Sequence, residues 1–483
     1  MVQVRPVLFI LGLVLGAFAL AMLVPMVFDL DHGHPDWRAF AAGAGVTLFA
    51  AGLLVLGGWS GQRPRFTARE GFLLTGMSWA TVSAFGSIPL MLGELGLSFG
   101  DAFFETASGL TTTGATLIVG LDKVSRGLLL WRAMLQGVGG IGIIVMVVAL
   151  FPFLRVGGMQ LFRSEFSEKL DKPLPRAAQV AGVTIVAYAC LLLACLASYW
   201  ALGMSLFDAA THAMTTVATA GFANYDESFA AFRSPALEWT AVLFMALSGL
   251  PLFLYVRLAR SEWRNVLRDT QIRWFLATTG AAVAAIALWL WLGRDLPAGD
   301  ALRLAAFNVV SLATTTGYAS ADYTQWGSFA AIMFLALMFV GGCTGSTAGA
   351  VKVLRFEIMA KLAGGALRRL VQRHGVQRVL YNGRPLGEDV IASIMVFGFV
   401  YFVSFAALAL ALGAFGLDFT TAVSGAAAAV GNIGPGLGEI IGPAGNYAAL
   451  PEGAKWLLAL GMIMGRLEFM AVLVLFTRRF WQG

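Results

Sequence analysis

Long apolar runs alternate with short polar segments along the chain. A helix that crosses a bilayer needs about 20 mainly apolar residues, and runs of this length predict ten spans. The spans are at residues 7–29, 40–60, 71–96, 127–151, 178–203, 236–257, 274–293, 327–357, 390–416 and 454–477. The first run has no small-residue cleavage site, so we interpret it as a retained helix. The pattern predicts an all-α polytopic membrane protein.

Four polar segments that end in glycine interrupt this pattern, at residues 111–114, 218–221, 314–317 and 431–434. Each follows an apolar stretch that is too short to cross a bilayer, which predicts re-entrant half-helices. The half-helices are predicted at about 100–112, 207–218, 303–314 and 418–430. Irregular backbone at membrane depth is tolerated only where protein or a water-filled cavity satisfies it. The segments therefore predict four loops around one central cavity, with ordinary external loops as the alternative.

Backbone carbonyls that converge in this way can replace the water shell of a cation. The C-terminal ends of the half-helices carry the negative end of the helix dipole, and glycine allows backbone conformations closed to other residues. We therefore predict an ion-selective filter. Its residues are Thr112, Thr113, Gly114, Thr219, Ala220, Gly221, Thr315, Thr316, Gly317, Asn432, Ile433 and Gly434.

Polar residues also recur nine positions before the glycines. They are Glu105, His212 and Asn308, with Gly425 in the fourth segment. We interpret these side chains as orienting hydrogen-bond partners behind the filter. Glu105 and His212 could instead form a catalytic acid–base pair, but no nucleophile motif accompanies them. The sequence therefore does not predict an enzyme.

Two further features lie within the predicted spans. Small residues fill positions 341–350, where we favour a mobile gate over close helix packing. The predicted gate residues are Gly341, Gly342, Gly345, Ser346, Thr347, Gly349, Lys352 and Arg466. A charge at the depth of Arg466 is costly and usually faces a cavity or a partner, here Glu468 or Glu105. Lys352 has the alternative of extending its amine to the membrane surface.

Composition agrees with a membrane protein. Hydrophobic residues make up 58% of the 483 positions and charged residues only 12%, against about a quarter in soluble domains. The net charge of +6 arises from basic residues in the gaps between spans, mainly at 63–69, 155–176, 257–273 and 361–384. This distribution argues against nucleic-acid binding. The positive-inside rule predicts that these loops and both termini are cytoplasmic, so that the glycine segments enter from outside.

Other candidate sites are weak. Cys190, Cys195 and Cys343 have no metal-ligand spacing and predict neither a zinc site nor a disulfide framework. We interpret His32 and His34, with the nearby acidic residues, as a solvated polar turn. No Walker-type phosphate loop and no GxGxxG motif after a strand is present, so we expect no nucleotide site in this chain.

The four glycine segments, the small-residue run with Lys352, and Arg466 together resemble the Trk/Ktr/HKT superfamily of potassium transporters. The resemblance covers nearly the whole chain. It implies a pseudo-fourfold pore, a homodimer with one pore per protomer, and a TrkA-like cytoplasmic nucleotide-binding regulatory subunit. It also implies potassium at the filter residues, because sodium-favouring relatives tend to have serine at the position of Gly114. Ala220 and Ile433 depart from the threonine found before the other two glycines.

The expected organisation is a two-helix extension at 1–65 and four helix–pore-loop–helix repeats. These are expected at 66–155, 156–262, 263–375 and 376–483, with the gating loop at 341–350 in the third. The sequence predicts channel-like potassium uptake across a bacterial inner membrane. The alternative is a proton- or sodium-coupled symporter, for which Glu105, His212 and Glu468 would be the candidate proton carriers.

Overall fold

A computed structural model of the chain describes residues 3–61, 67–150, 174–259, 261, 263–372 and 378–482. The predicted basic loops at 63–69 and 155–176 lie largely outside these residues. The helices are α1 Val4–Ala21, α2 Leu23–Asp31, α3 Trp37–Gly58, α4 Ala68–Gly86, α5 Ile88–Leu92, α6 Phe99–Leu110, α7 Arg126–Leu150, α8 Leu174–Ala201, α9 Leu206–Val217, α10 Pro235–Ser248, α11 Phe253–Ala259, α12 Trp263–Arg268, α13 Thr270–Gly293, α14 Ala298–Ala313, α15 Ser328–Leu337, α16 Val353–Val371, α17 Glu388–Ala414, α18 Phe419–Gly431, α19 Gly438–Ile441, α20 Glu452–Arg466, α21 Met470–Leu473 and α22 Arg478–Trp481.

Short 3₁₀ helices and two small sheets complete the described fold. The 3₁₀ helices are Leu121–Lys123, Ser228–Phe232, Tyr323–Trp326 and Val474–Phe476. Strands β1 (Val340–Gly341) and β2 (Val351–Lys352) pair in parallel, with Val340 opposite Val351. Strands β3 (Leu380–Tyr381) and β4 (Arg384–Pro385) form an antiparallel hairpin. The protein is therefore mostly helical, and β1 and β2 close the ends of the small-residue run.

The predicted spans at 236–257 and 454–477 are not continuous helices, whereas the break within 327–357 falls at the predicted small-residue run. Among the described residues, the helices long and apolar enough to cross a membrane are Val4–Asp31, Trp37–Gly58, Ala181–Ala201, Thr270–Gly293 and Glu388–Ala414. The predicted span at 236–257 breaks between α10 and α11, and the span at 327–357 breaks between α15 and α16. The last predicted span also breaks, since α20 and the segment that begins at α21 form an angle of 106°.

Backbone groups exposed by these breaks bond to one another. The Gly249 carbonyl, at the break after α10, accepts the Cys343 amide at 2.8 Å. The Gly345 carbonyl accepts the Leu252 amide at 3.0 Å. An unpaired amide or carbonyl at membrane depth costs several kcal/mol, about the value of a lost hydrogen bond in an apolar medium. The break after α10 and the small-residue run at 341–350 therefore supply hydrogen-bond partners for each other's irregular backbone.

The four predicted half-helices are confirmed as α6, α9, α14 and α18. Ser98 and Ser205 cap the first two by accepting the amides of Asp101 and Asp208, at 3.2 and 3.0 Å. Asp418 caps the fourth through the Thr421 amide at 3.1 Å. The last turns of all four are buried. These short helices are thus enclosed by the longer ones, and each points its C-terminal end at one glycine segment.

The interpretation of the turn at residues 29–36 as solvated is confirmed for Asp31 and His32, which are exposed, but was wrong for Asp29 and Asp36. Asp29 and Asp36 are only 1% and 4% exposed. The Asp29 carboxylate lies against the first turn of α7, where it accepts the Gly127 amide at 2.7 Å. The turn between α2 and α3 is therefore packed onto the rest of the protein.

The three cysteines are free thiols, with Cys195 and Cys343 buried.

Candidate functional site

The four glycine segments, which we call loops 1–4 in chain order, share one backbone conformation. Two positions before each glycine, the backbone is left-handed: φ is 55° at Thr112, 52° at Thr219, 57° at Thr315 and 53° at Asn432. The glycines themselves have φ values of 85°, 74°, 81° and 105°. Left-handed threonine is rare because of its branched Cβ. The same strained conformation at four matching positions indicates a functional constraint.

Each half-helix ends in a Schellman motif, which explains the left-handed residue. In such a motif the residue after the left-handed one donates its amide to a carbonyl five positions earlier. These bonds are Thr113 to Ser108 (2.9 Å), Ala220 to Thr215 (2.9 Å), Thr316 to Ser311 (2.8 Å) and Ile433 to Ala428 (3.0 Å). The motif turns the chain sharply out of the half-helix and satisfies carbonyls of its last turn. The sequence predicted the glycine conformations but not this motif.

The four loops contact one another in a closed cycle. A methyl group added at any of the four glycines would overlap, or approach closely, the carbonyl oxygen that precedes the glycine of the next loop. The pairs are Gly114 with Ala220, Gly221 with Thr316, Gly317 with Ile433, and Gly434 with Thr113 at 2.8 Å. The order is loop 1 to 2, 2 to 3, 3 to 4, and 4 back to 1. Glycine is thus required at these positions by close backbone approach as well as by φ.

A cavity of about 270 Å³ opens beside this cycle. Its lining includes Gly114, Gly221 and Gly317 of loops 1–3, and Pro435, the residue after loop 4. Asp226 lies in the same wall and accepts the amides of Gly120 and Leu121 at 2.8 and 3.0 Å. Loops 1–3 and the residue after loop 4 therefore border a space large enough for several water molecules, since one water occupies about 30 Å³ of liquid.

Glu105 supports the segment that follows loop 1. Its carboxylate accepts the Thr116 hydroxyl at 2.9 Å and the Leu117 amide at 3.0 Å. It also forms a buried ion pair with Arg132 at 2.9 Å, in which the two side chains are 0% and 1% exposed. The predicted partner, Arg466, does not contact it. The guanidinium of Arg132 also donates to the Ala223 carbonyl at 3.0 Å, which links loops 1 and 2.

The equivalent positions behind loops 3 and 4 hold similar supports. Asn308 donates to the Ser320 hydroxyl at 3.0 Å and accepts the Ser320 amide at 3.3 Å. Gly425 has no side chain, but its neighbour Ser424 accepts the Leu437 amide at 2.8 Å. The orienting role that we predicted for this position is therefore present behind three loops, with a shift of one residue in the fourth.

His212 does not serve this role. Its Nδ1 bonds to the Asp208 carbonyl at 2.9 Å within its own helix, and the buried Nε2 has no hydrogen-bond partner among the described residues. The rings of Tyr225, Phe232 and Tyr318 lie within 6.5 Å of the imidazole centre. Glu105 is committed to Arg132 and His212 is enclosed by aromatic rings. The geometry gives no acid–base pair.

Two residues of α7 were missed by the sequence analysis. Gln136 donates to the Ala220 carbonyl at 2.7 Å and accepts the Phe222 amide at 3.0 Å, so it holds loop 2 on both sides of its glycine. Arg132 lies one helical turn earlier on the same face. The sequence signal for them was that Arg132 and Gln136 lie four positions apart in an apolar span. Polar side chains within a membrane usually face a partner or a site.

The small-residue run packs directly against three of the four loops. The Gly349 amide donates to the Thr315 hydroxyl at 2.6 Å, and the Ala350 amide donates to the Gly431 carbonyl at 2.9 Å. Thr347 donates to the Val217 carbonyl, at 3.1 Å, and lies 3.1 Å from the Thr219 hydroxyl. The predicted gate residues and filter residues therefore meet at the left-handed ends of the half-helices.

Arg466 and Lys352 also reach this run. Arg466 is 3% exposed and donates to the carbonyls of Thr347 at 3.0 Å and Gly139 at 3.4 Å. Lys352 bends back to the Ala348 carbonyl instead of extending to the membrane surface. Glu468, the other predicted partner of Arg466, pairs with Arg355 at 2.7 Å. Two positive charges are therefore held against the carbonyls of the run.

Comparison with known proteins gives consistent matches. The TrkH family model, described as cation transport protein, matches residues 39–482. The chain is 45% identical to the Trk system potassium uptake protein TrkI of Halomonas elongata, over 99% of this chain and 97% of that protein. It is 36% identical to TrkH of Escherichia coli K12, over 99% of both. The crystal structure of the potassium transporter TrkH from Vibrio parahaemolyticus superposes with a TM-score of 0.90 at 32% identity, covering 99% of this chain and 100% of that one.

Proposed function

Because this chain belongs to the TrkH family of cation transport proteins, we propose that it takes up potassium through a selective, channel-like pore. The closed cycle of contacts among loops 1–4 carries this proposal. A potassium ion that enters the filter exchanges its hydration water for backbone carbonyl oxygens of the loops. Because carbonyls do most of the coordination, the hydrophobic Ala220 and Ile433 side chains are compatible with a filter.

The repeated geometry supports a pseudo-fourfold pore. The four Schellman motifs, the four left-handed residues and the four glycines recur once in each of the segments 66–155, 156–262, 263–375 and 376–483. The half-helices direct the negative ends of their dipoles toward the loops, which lowers the energy of a cation between them. The membrane potential contributes about 2.3 kcal/mol per charge per 100 mV, which drives accumulation without a chemical step.

The small-residue run at 341–350 is proposed as the gate. It blocks the path beneath the filter through its bonds to loops 2, 3 and 4, and it is held closed by Arg466. Residues in such irregular conformations change backbone angles at lower cost than a continuous helix. Opening withdraws the run from the left-handed ends of the half-helices.

The remaining parts of the proposal follow from the family. The proposal includes a homodimer with one pore in each protomer and a TrkA-like cytoplasmic nucleotide-binding subunit that moves the gate. It also places both termini on the cytoplasmic side of a bacterial inner membrane. The basic loops fit the proposed orientation by the positive-inside rule. Nucleotide would act through the partner subunit, and potassium is the transported ion.

Ion coupling is not favoured by the contacts. Glu105 is paired with Arg132, and Glu468 with Arg355, at 2.9 and 2.7 Å. Protonating either carboxylate removes the negative charge opposite a buried arginine, which costs about 3–5 kcal/mol for a fully buried pair. A passive pore therefore fits these residues better than a proton-coupled cycle.

Uptake of ⁸⁶Rb⁺ by purified protein in potassium-loaded liposomes tests the function. Efflux of potassium through the pore makes the interior negative and draws the tracer in, without an ionophore. We expect accumulation in potassium-loaded vesicles, much less in sodium-loaded vesicles, and no change when an inward proton or sodium gradient is imposed. Protein-free vesicles are the control. Uptake that requires either gradient would support the symporter instead.

A further inference from the structure

Three potential metal ligands meet where α2 turns into α3. One ligand atom each from Asp29, His34 and Asp36 lies within 4.8 Å of the other two. Both aspartates are nine-tenths or more buried, whereas the His34 side chain is 30% exposed. Two carboxylates this close repel one another and have lost most of their hydration, so a positive charge is needed between them.

Asp36 leaves one carboxylate oxygen without a hydrogen-bond partner. Its Oδ1 accepts the Glu94 amide at 2.8 Å. The buried Oδ2 has no hydrogen bond within the described part of the chain and lies 3.8 Å from Nδ1 of His34, too far for one. Asp36 also precedes the first residue of α3, yet its side chain does not cap that helix. An aspartate at this position normally does. Its free oxygen is instead directed into the cluster.

Asp29 is held by the start of α7. The Gly127 amide donates to its Oδ1 at 2.7 Å, and the Ser125 hydroxyl lies 3.4 Å from Oδ2. A Cβ at Gly127 would overlap this carboxylate. The close approach fixes Asp29 before any ligand arrives, which lowers the entropy cost of binding.

His34 is oriented as a metal-binding histidine would be. Its Nδ1 faces Asp36 Oδ2, and its Nε2 lies 3.3 Å from the Glu94 carboxylate. The Asp36 amide donates to the same Nδ1 at 3.4 Å, a long hydrogen bond in which this nitrogen is the acceptor. Metal-binding histidines usually donate their second ring N–H to a carboxylate, which fixes the tautomer. Glu94 is placed to accept that hydrogen.

We propose that Asp29, His34 and Asp36 bind one divalent cation of the zinc class, with Glu94 as the positioning residue. Imidazole and carboxylate ligands together suit zinc, whereas magnesium and calcium prefer oxygen ligands alone. Water enters through the exposed side of His34 and completes the coordination. The bound ion links the α2–α3 turn to the start of α7, outside the potassium path.

Zinc binding to the full-length protein tests this proposal. The protein is purified without a polyhistidine tag, placed in lipid nanodiscs, stripped with EDTA, and titrated with zinc chloride against a chromogenic chelator. We expect one zinc per chain. Affinity falls by about tenfold or more in Asp36→Asn and His34→Gln. The matched control is His32→Gln, because exposed His32 bonds to the Phe28 carbonyl in the same turn and is not one of the three proposed ligands, so its loss leaves zinc affinity unchanged.

Thermal unfolding provides a second measurement that does not depend on the chelator. A ligand that binds only the native state raises the unfolding temperature. Zinc should raise it in the wild type and in His32→Gln but not in Asp36→Asn. The proposal is overturned if wild type and His34→Gln bind zinc equally, if neither binds it, or if equal concentrations of magnesium or calcium displace it.

Discussion

The Arg466 guanidinium donates to the Thr347 carbonyl at 3.0 Å, whereas Glu468, only two residues later, bonds to Arg355 at 2.7 Å. The arginine therefore uses its charge on the backbone of the small-residue run and not on the nearest acid. The break after α20 makes this possible, because Glu468 and Phe469 have φ values of 58° and 45° and turn the chain away from Arg466. The run is thereby held against loops 2, 3 and 4.

Arg466→Lys should raise basal ⁸⁶Rb⁺ flux. Lysine keeps the charge but cannot reach the carbonyls of Thr347 and Gly139 together. A lost hydrogen bond to a charged group costs about 1.5–3 kcal/mol, which corresponds to roughly a tenfold to hundredfold larger open fraction. The control is Arg303→Lys, which lies in a partly exposed ion pair away from the run. Equal flux in both variants, with both folded, would contradict the proposed restraint.

Gly349→Ala should also raise basal flux. Its Cβ would overlap the Gly431 carbonyl and approach Asn432, so the run cannot keep its present position. Gly364→Ala is the matched control, because a Cβ at that position in α16 meets nothing within 4 Å. Shortening the run at 341–350 should act in the same direction. Tracer uptake in liposomes measures all three, and a flux below that of wild type in Gly349→Ala and the shortened chain would argue against a gate.

Gly114→Ser should raise sodium permeation relative to potassium. The side chain would push against the Ala220 carbonyl of loop 2 and displace one of the carbonyls that we propose to replace the ion's water. Gly120→Ser is the control: its φ of 77° is similarly left-handed, but open space surrounds it. The reversal potential under sodium on one side and potassium on the other gives the ratio. A shift of the same size in both variants would assign the effect to backbone strain.

Glu105→Gln should destabilise the protein and weaken selectivity together. It leaves Arg132 buried without its partner, at a cost of about 3–5 kcal/mol, and loosens the segment after loop 1. The control is Asp300→Asn, which removes a half-exposed partner of Arg303 and should cost about 1 kcal/mol or less. Thermal unfolding and the sodium-to-potassium permeability ratio are measured on the same samples. Destabilisation without any change in that ratio would limit Glu105 to a purely structural role.

The half-helices, glycine loops and small-residue run were predictable because each leaves a mark in the linear pattern. The half-helices are apolar runs too short to cross a membrane, and the glycines recur with polar neighbours. The breaks at 249–252 and 467–469 were missed because hydropathy continues across them. Gly249 and Pro251 were a local signal for the first. At the second, Glu468 accepts a hydrogen bond from Arg355, which lies more than a hundred residues away in the chain.

The partners of charged residues could not be predicted from spacing along the chain. Glu105 was a plausible partner of Arg466, but the fold pairs it with Arg132, and only the three-dimensional arrangement decides between the two arginines. The left-handed conformation of Thr112 was equally hidden, since threonine is a poor residue for it. The structure explains this conformation, because a Schellman motif with a left-handed residue ends each of the four half-helices.

Anomalous diffraction from crystals grown in rubidium or thallium salts tests the central claim most directly. A dehydrated monovalent cation held by four loops should give one or more anomalous peaks on the axis between Gly114, Gly221, Gly317 and Gly434. The same peaks should weaken when potassium is added in competition. Strong peaks elsewhere in the protein with none between the loops would contradict the account.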